Sequence, residues 1–150
     1  MENTGLERAV RVSRNVLFVL AGVDLVRGIA HTFLLNWAAM NVARIDAHPD
    51  ALMLLGVFGN SNFLTAGVFL LVAWKAKELA GYVLGIIPLA YFAGVVGIRL
   101  NGVTMQSEFN GQYGMMIYFA VCVVTFVHFV WARRSHEAAT ADRGPKESIG

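Results

Sequence analysis

Four stretches of this 150-residue chain are apolar for long enough to cross a bilayer, and this constrains its fold more than any other feature. They cover residues 16–37, 52–74, 79–100 and 113–131. At a rise of about 1.5 Å per residue, a helix over each one approaches or exceeds the ~30 Å of a hydrocarbon layer. Hydrophobic residues make up 57% of the chain and charged residues 15%. A soluble bundle needs a polar outer stripe on every helix, and residues 81–98 have none. The sequence therefore predicts an all-α fold, a four-transmembrane-helix bundle occupying residues 1–133. Residues 134–150 lack apolar periodicity and are expected to form a disordered cytoplasmic tail.

The charges are distributed unevenly. Arg8, Arg11 and Arg14 precede the first span, Lys75 and Lys77 lie in the second connection, and Arg133, Arg134, Arg143 and Lys146 follow the fourth span. The first connection carries only Arg44, and the third carries Arg99 at its edge. Basic residues concentrate on the cytoplasmic side of membrane proteins, so both termini are expected inside, in a cell (inner) membrane. Trp37, Trp74 and Trp131 mark span ends, where aromatic rings favour the headgroup level. The arginines before the first apolar run resemble a signal peptide, but Asp24 interrupts that run after eight residues, which points to a retained helix. No basic patch is interleaved with aromatics, so no nucleic-acid partner is indicated. Cys122 is the lone cysteine, which excludes an intrachain disulfide and points to a packing role.

The second connection, about residues 75–78, is short enough to make the second and third helices antiparallel neighbours. Gly81 and Gly85 form a small-xxx-small pair suited to close packing within the bundle. Pro88 removes a hydrogen bond to the carbonyl of Leu84 and is expected to kink the third helix.

Within the first span, Asp24, Arg27 and His31 are spaced by three and then four residues, which places them on one helical face. Val19, Val26, Ile29 and Phe33 occupy the opposite face. A charge near mid-membrane costs about 2.5–3.5 kcal/mol on insertion scales, so this stripe should face protein or trapped water. Helix rise puts His31 and Asn60 about 9 and 12 Å below the outer surface and Arg99 within about a turn of it. His31, Asn60 and Arg99 are therefore expected to converge in an outward-opening pocket floored by Asp24 and Arg27. Two readings of Asp24 and Arg27 stand side by side: a structural ion pair, or an anion site whose orientation Asp24 sets. Asn60 and Asn62 point about 200° apart on a regular helix, so they cannot both line one pocket. Glu108, in the third connection, is a candidate partner for Arg99 or a lid over the pocket.

No cofactor or metal is expected. His31 and His128 are separated by about 15–20 Å along the membrane normal, too far to ligate one haem. There is no HxxxH, ExxH or paired-cysteine motif. No nucleophile–base motif, phosphate loop or dinucleotide fingerprint occurs.

Gly67, Trp74-Lys75 and Ile98-Arg99-Leu100-Asn101-Gly102 give about a quarter of the chain a pattern that resembles DoxX-like small four-helix membrane proteins. The pattern is a glycine-bearing second helix ending in a basic residue, a short turn, and a third helix with arginine near its outer end. The resemblance implies a four-helix membrane bundle and little about activity. Thiol and quinone-linked roles suggested for some relatives find no cysteine pair here.

The leading expectation is a membrane protein that binds, senses or facilitates passage of a small amphiphilic or anionic molecule. Arg27 and Arg99 would supply charge, and His31 and Asn60 hydrogen bonds. A second expectation is a membrane-bound enzyme, such as an isomerase, with His31 as acid/base and Asp24 orienting it. A third is an assembly or anchoring subunit whose polar face docks a partner helix. The expected partners are the lipid bilayer, such a ligand, and a homo-oligomer or membrane complex, since four helices make a thin wall around a transport path.

Overall fold

The computed structural model describes residues 4–103 and 111–141, and every regular element among them is helical. Helix α1 (Thr4–Phe33) is followed by a one-turn α2 (Leu35–Ala38) and a π-helical turn (Ala39–Ala43). Helix α3 (Pro49–Lys75), a short 3-10 turn (Lys77–Leu79), α4 (Ala80–Leu100) and α5 (Gly111–Ala141) complete the chain. Four helices are long and apolar enough to cross a membrane: Gly5–Phe33, Pro49–Lys75, Lys77–Leu100 and Gln112–Ala141. This is the architecture of a multi-pass membrane protein.

Helix α1 begins at Thr4, well before residue 16, and α5 runs on to Ala141. Residues 134–141 of the expected tail are thus helical, and residues 142–150 lie outside the described residues. The early turns of α1 pack on α5 just before its extension: Ala9, Phe129 and Ala132 form a buried cluster flanked by Leu6, Val10 and Val130. Hydropathy measures how deep a segment sits in lipid. Helix length is set by how far packing continues to support the backbone ladder. On α5, Arg133 Nε donates to Glu137 Oε1 at 2.8 Å, one turn on.

The N-terminal turns of α1, the last turns of α5 and the α3–α4 connection gather at one end of the bundle. The main core lies further in and joins Leu17, Leu20 and Ala21 of α1, Phe69 and Ala73 of α3, Ala80 and Leu84 of α4, and Tyr118 and Cys122 of α5. Cys122 is fully buried there.

Helix α1 is the organising element. It packs along α3 over most of its length, and also meets α5 and α4. Its close approach to α3 needs glycine at two places. A Cβ on Gly28 would lie 2.8 Å from the Phe63 ring, and one on Gly59 would collide with Thr32 Oγ1. The expected α3–α4 pairing is not how these helices pack: they barely touch beyond their shared turn, and α4 packs on α5 and α1 instead. Gly81 and Gly85 account for this. A Cβ on Gly81 would overlap the Phe129 ring of α5, and one on Gly85 would come within 2.7 Å of Phe126. Every buried residue of α4 precedes Pro88, and from Leu89 onward the helix is largely exposed.

The ends of α3 and α4 are written locally. His48 Nδ1 accepts from the Asp50 N–H at 3.4 Å, and Pro49 occupies the first helical position, where its missing N–H is not needed. At the end of α4, Val103 N–H reaches Ile98 O at 3.3 Å and Gly102 N–H reaches Arg99 O at 3.0 Å. Gly102 adopts φ +69°, so this is a Schellman cap. The Ile98–Gly102 stretch that carries the family resemblance is thus a helix stop signal.

Candidate functional site

The polar face of α1 turns inward. Asp24 and His31 are buried, and the Arg27 side chain keeps 22% of its surface exposed. Val19, Val26, Ile29 and Phe33 are exposed on the other side, as their spacing requires. Asp24 continues the row of buried residues set by Ser13, Leu17 and Leu20, at the helical spacing of three to four residues.

Two hydrogen bonds hold the Asp24 carboxylate. Tyr118 of α5 donates to Oδ2 at 3.0 Å, and Arg27 Nη1 donates to Oδ1 at 3.4 Å. The guanidinium also lies over the ring of Phe58 on α3, 5.4 Å from its centroid, in cation–π range. His31 stacks obliquely on the same ring at 5.6 Å, and its Nδ1 meets the side-chain amide of Asn62 at 3.4 Å. Gly59, about one turn before Asn62, lets α3 come close enough for this contact. Next to His31, Thr32 Oγ1 is buried with no hydrogen-bond partner among the described residues. The cluster joins α1, α3 and α5 through one charged pair, one phenol, one imidazole, one amide and one shared aromatic ring.

Of the five expected site residues, the fold brings together Asp24, Arg27 and His31. Asn60 is exposed, and Asn62 takes the inward position. The reason is helical phase: Asn62 falls in the row Gly59, Asn62, Ala66, Phe69 and Ala73 that faces α1, and Asn60 lies well off that row. Arg99 is also exposed, about two turns beyond the contact that Tyr91 of α4 makes on Phe119 of α5, in the part of the helix that is largely exposed. There it occupies the last turn of α4, where a cation complements the helix dipole. Glu108 lies outside the described residues. Asp24 does not orient His31: the residues are seven apart, about 10 Å along the axis, and each bonds to a different partner.

Tyr118 and Phe58 were not among the expected site residues, and Asn60 was expected in the place that Asn62 takes. Tyr118 did carry a signal. It sits two turns inside an apolar helix, away from the headgroup level that tyrosines favour, and a buried phenol needs a hydrogen-bond partner. One groove borders this cluster, and others lie away from it. The bordering one, apolar and of about 460 Å³, runs between α1 and α5, with Tyr118 in its wall. Two more, of about 510 and 650 Å³, open at the end of the bundle formed by the first turns of α1 and the last turns of α5.

Comparison with family models, curated proteins and solved structures gives no match. Nothing in these comparisons bears on the DoxX-like resemblance, which rests on its own residues.

Proposed function

We propose that this chain is an inner-membrane protein with both termini cytoplasmic, whose intramembrane cluster binds a small anionic amphiphile through Arg27. One observation carries the reading. A guanidinium has five N–H donors, and among the described residues only one bond holds that of Arg27, to Asp24 at 3.4 Å. Asp24 already accepts from Tyr118, so its charge is shared and Arg27 keeps donors for a second anion. The head of Arg27 is partly exposed at the edge of the α1–α3 contact, beside an aromatic ring. A carboxylate or phosphate could approach there, and its apolar tail would lie along the membrane-facing side chains of α3. His31 and Asn62 would supply hydrogen bonds behind it. Such binding suits sensing or passage of the ligand. The proposed orientation rests on the basic residues at the end where the first turns of α1, the last turns of α5 and the α3–α4 turn gather.

The test uses the whole protein in lipid nanodiscs, with dodecanoate as the probe and dodecanol as its uncharged counterpart. Native mass spectrometry should detect a saturable dodecanoate adduct and none with dodecanol. Arg27→Gln should weaken the adduct about tenfold or more, in line with loss of a charge-assisted hydrogen bond. Equal retention of both probes, or no effect of Arg27→Gln, would reject the reading.

A further inference from the structure

Asn60 sits about 16 Å into α3, inside the span Pro49–Lys75, and its side chain points away from the bundle. Among the described residues, nothing hydrogen-bonds to its amide. Its polar neighbours on α3 are all satisfied. The Ser61 hydroxyl donates to Val57 O at 3.2 Å, Thr65 donates to Ser61 O at 2.9 Å, and Asn62 meets His31. An amide left in hydrocarbon without a partner is unfavourable, and interhelical hydrogen bonding is the common remedy.

The residues around Asn60 form a pattern. Met53, Val57, Asn60, Leu64, Gly67, Leu71 and Trp74 follow one another at intervals of four and three, the spacing of a two-stranded helical seam. All seven are exposed. At about 100° per residue this row lies about 150° round the helix from the row that faces α1. Gly67, in the middle of the seam, has open space where a Cβ would be. Helix α3 therefore carries two seams, one used within the chain and one unused.

We propose that the outer seam of α3 pairs with α3 of a second copy in a parallel two-fold dimer, with Asn60 bonded to Asn60 across the axis. The choice of a second copy rests on complementarity. An amide both donates and accepts, so a second amide is its full match. Two copies inserted with the same topology have their symmetry axis along the membrane normal. That symmetry brings every seam residue opposite itself at the same depth. One amide in an otherwise apolar seam also sets register and partner number, as it does in soluble coiled coils.

Single cysteines in a Cys122→Ala background test this in native membranes at low protein density. Leu64 and Leu71 report the seam; Ile86 on α4 and Val124 on α5 are controls of comparable exposure, between 60% and 72% for all four. Under mild oxidation, Leu64→Cys and Leu71→Cys should give a disulfide-linked dimer and the controls should not. In liposomes, dimer fraction is read by energy transfer as protein is diluted into lipid. Asn60→Leu should weaken the dimer about three- to fifteen-fold, the range of interhelical polar contacts, and Asn60→Gln should restore most of it. Circular dichroism should show the variants equally helical, because among the described residues the exposed Asn60 side chain makes no hydrogen bond. The proposal is overturned by a monomer at all dilutions, by equal cross-linking at all four sites, or by disulfides to a different protein. A dimer indifferent to Asn60→Leu overturns it as well.

Discussion

The Tyr118 hydroxyl donates to Asp24 Oδ2 at 3.0 Å, joining the fourth membrane-crossing helix to the first. Tyr118 and Cys122 sit in the same core as Leu17 and Leu20, one to two turns along α1 from Asp24. The polar cluster and the apolar core are therefore one packed unit. Four consequences can be measured.

Tyr118→Phe removes the hydroxyl and leaves the ring. The buried carboxylate then has only Arg27. Loss of a hydrogen bond to a charged group should destabilise the fold by about 1.5–3 kcal/mol. Thermal unfolding in detergent micelles reads this directly, and an unchanged midpoint would mean that the contact contributes nothing.

Arg27→Ala leaves Asp24 with Tyr118 alone. Breaking a well-buried pair costs about 3–5 kcal/mol, and partial exposure of Arg27 should place this loss at or below the lower end. Asp24→Asn combined with Arg27→Gln should recover much of it. A double-mutant cycle on unfolding stability decides the matter: additive losses would show that the two residues act independently. A double mutant that folds and still holds dodecanoate as wild type does would count against the binding role.

Gly81→Leu and Gly85→Leu should each destabilise the α4–α5 contact by about 1–3 kcal/mol, typical of overpacking. The added side chains meet Phe129 and Phe126. Gly94→Leu meets open space and should be close to neutral. Equal effects at Gly85 and Gly94 would contradict the packing of α4.

The two asparagines of α3 should behave differently. Asn62→Leu removes the contact to His31 and should lower stability by roughly 0.6–1.7 kcal/mol, the range for interhelical polar pairs. Asn60→Leu should leave the stability of the single chain unchanged. Chemical unfolding at high dilution into lipid separates this from any effect on association. Reversed results would exchange the faces assigned to the two residues.

Sequence alone determined the four spans, because a run of apolar residues as long as the bilayer is thick has few other places to go. It also determined which face of α1 carries Asp24, Arg27 and His31, since helical periodicity is a local property. The cap at Gly102 and the start at Pro49 were likewise local. Only the tertiary structure decided how the spans are arranged. A short turn between α3 and α4 fixes their separation in sequence. Phe126 and Phe129, far along the chain, draw the glycines of α4 onto α5 instead. That choice leaves Arg99 outside the site. The packing of α3 on α1 selected Asn62 over Asn60 and brought Phe58 beneath Arg27. Depth along each helix can be counted from the sequence. The rotation of each helix about its axis depends on what it packs against, and Tyr118 reached Asp24 through that rotation.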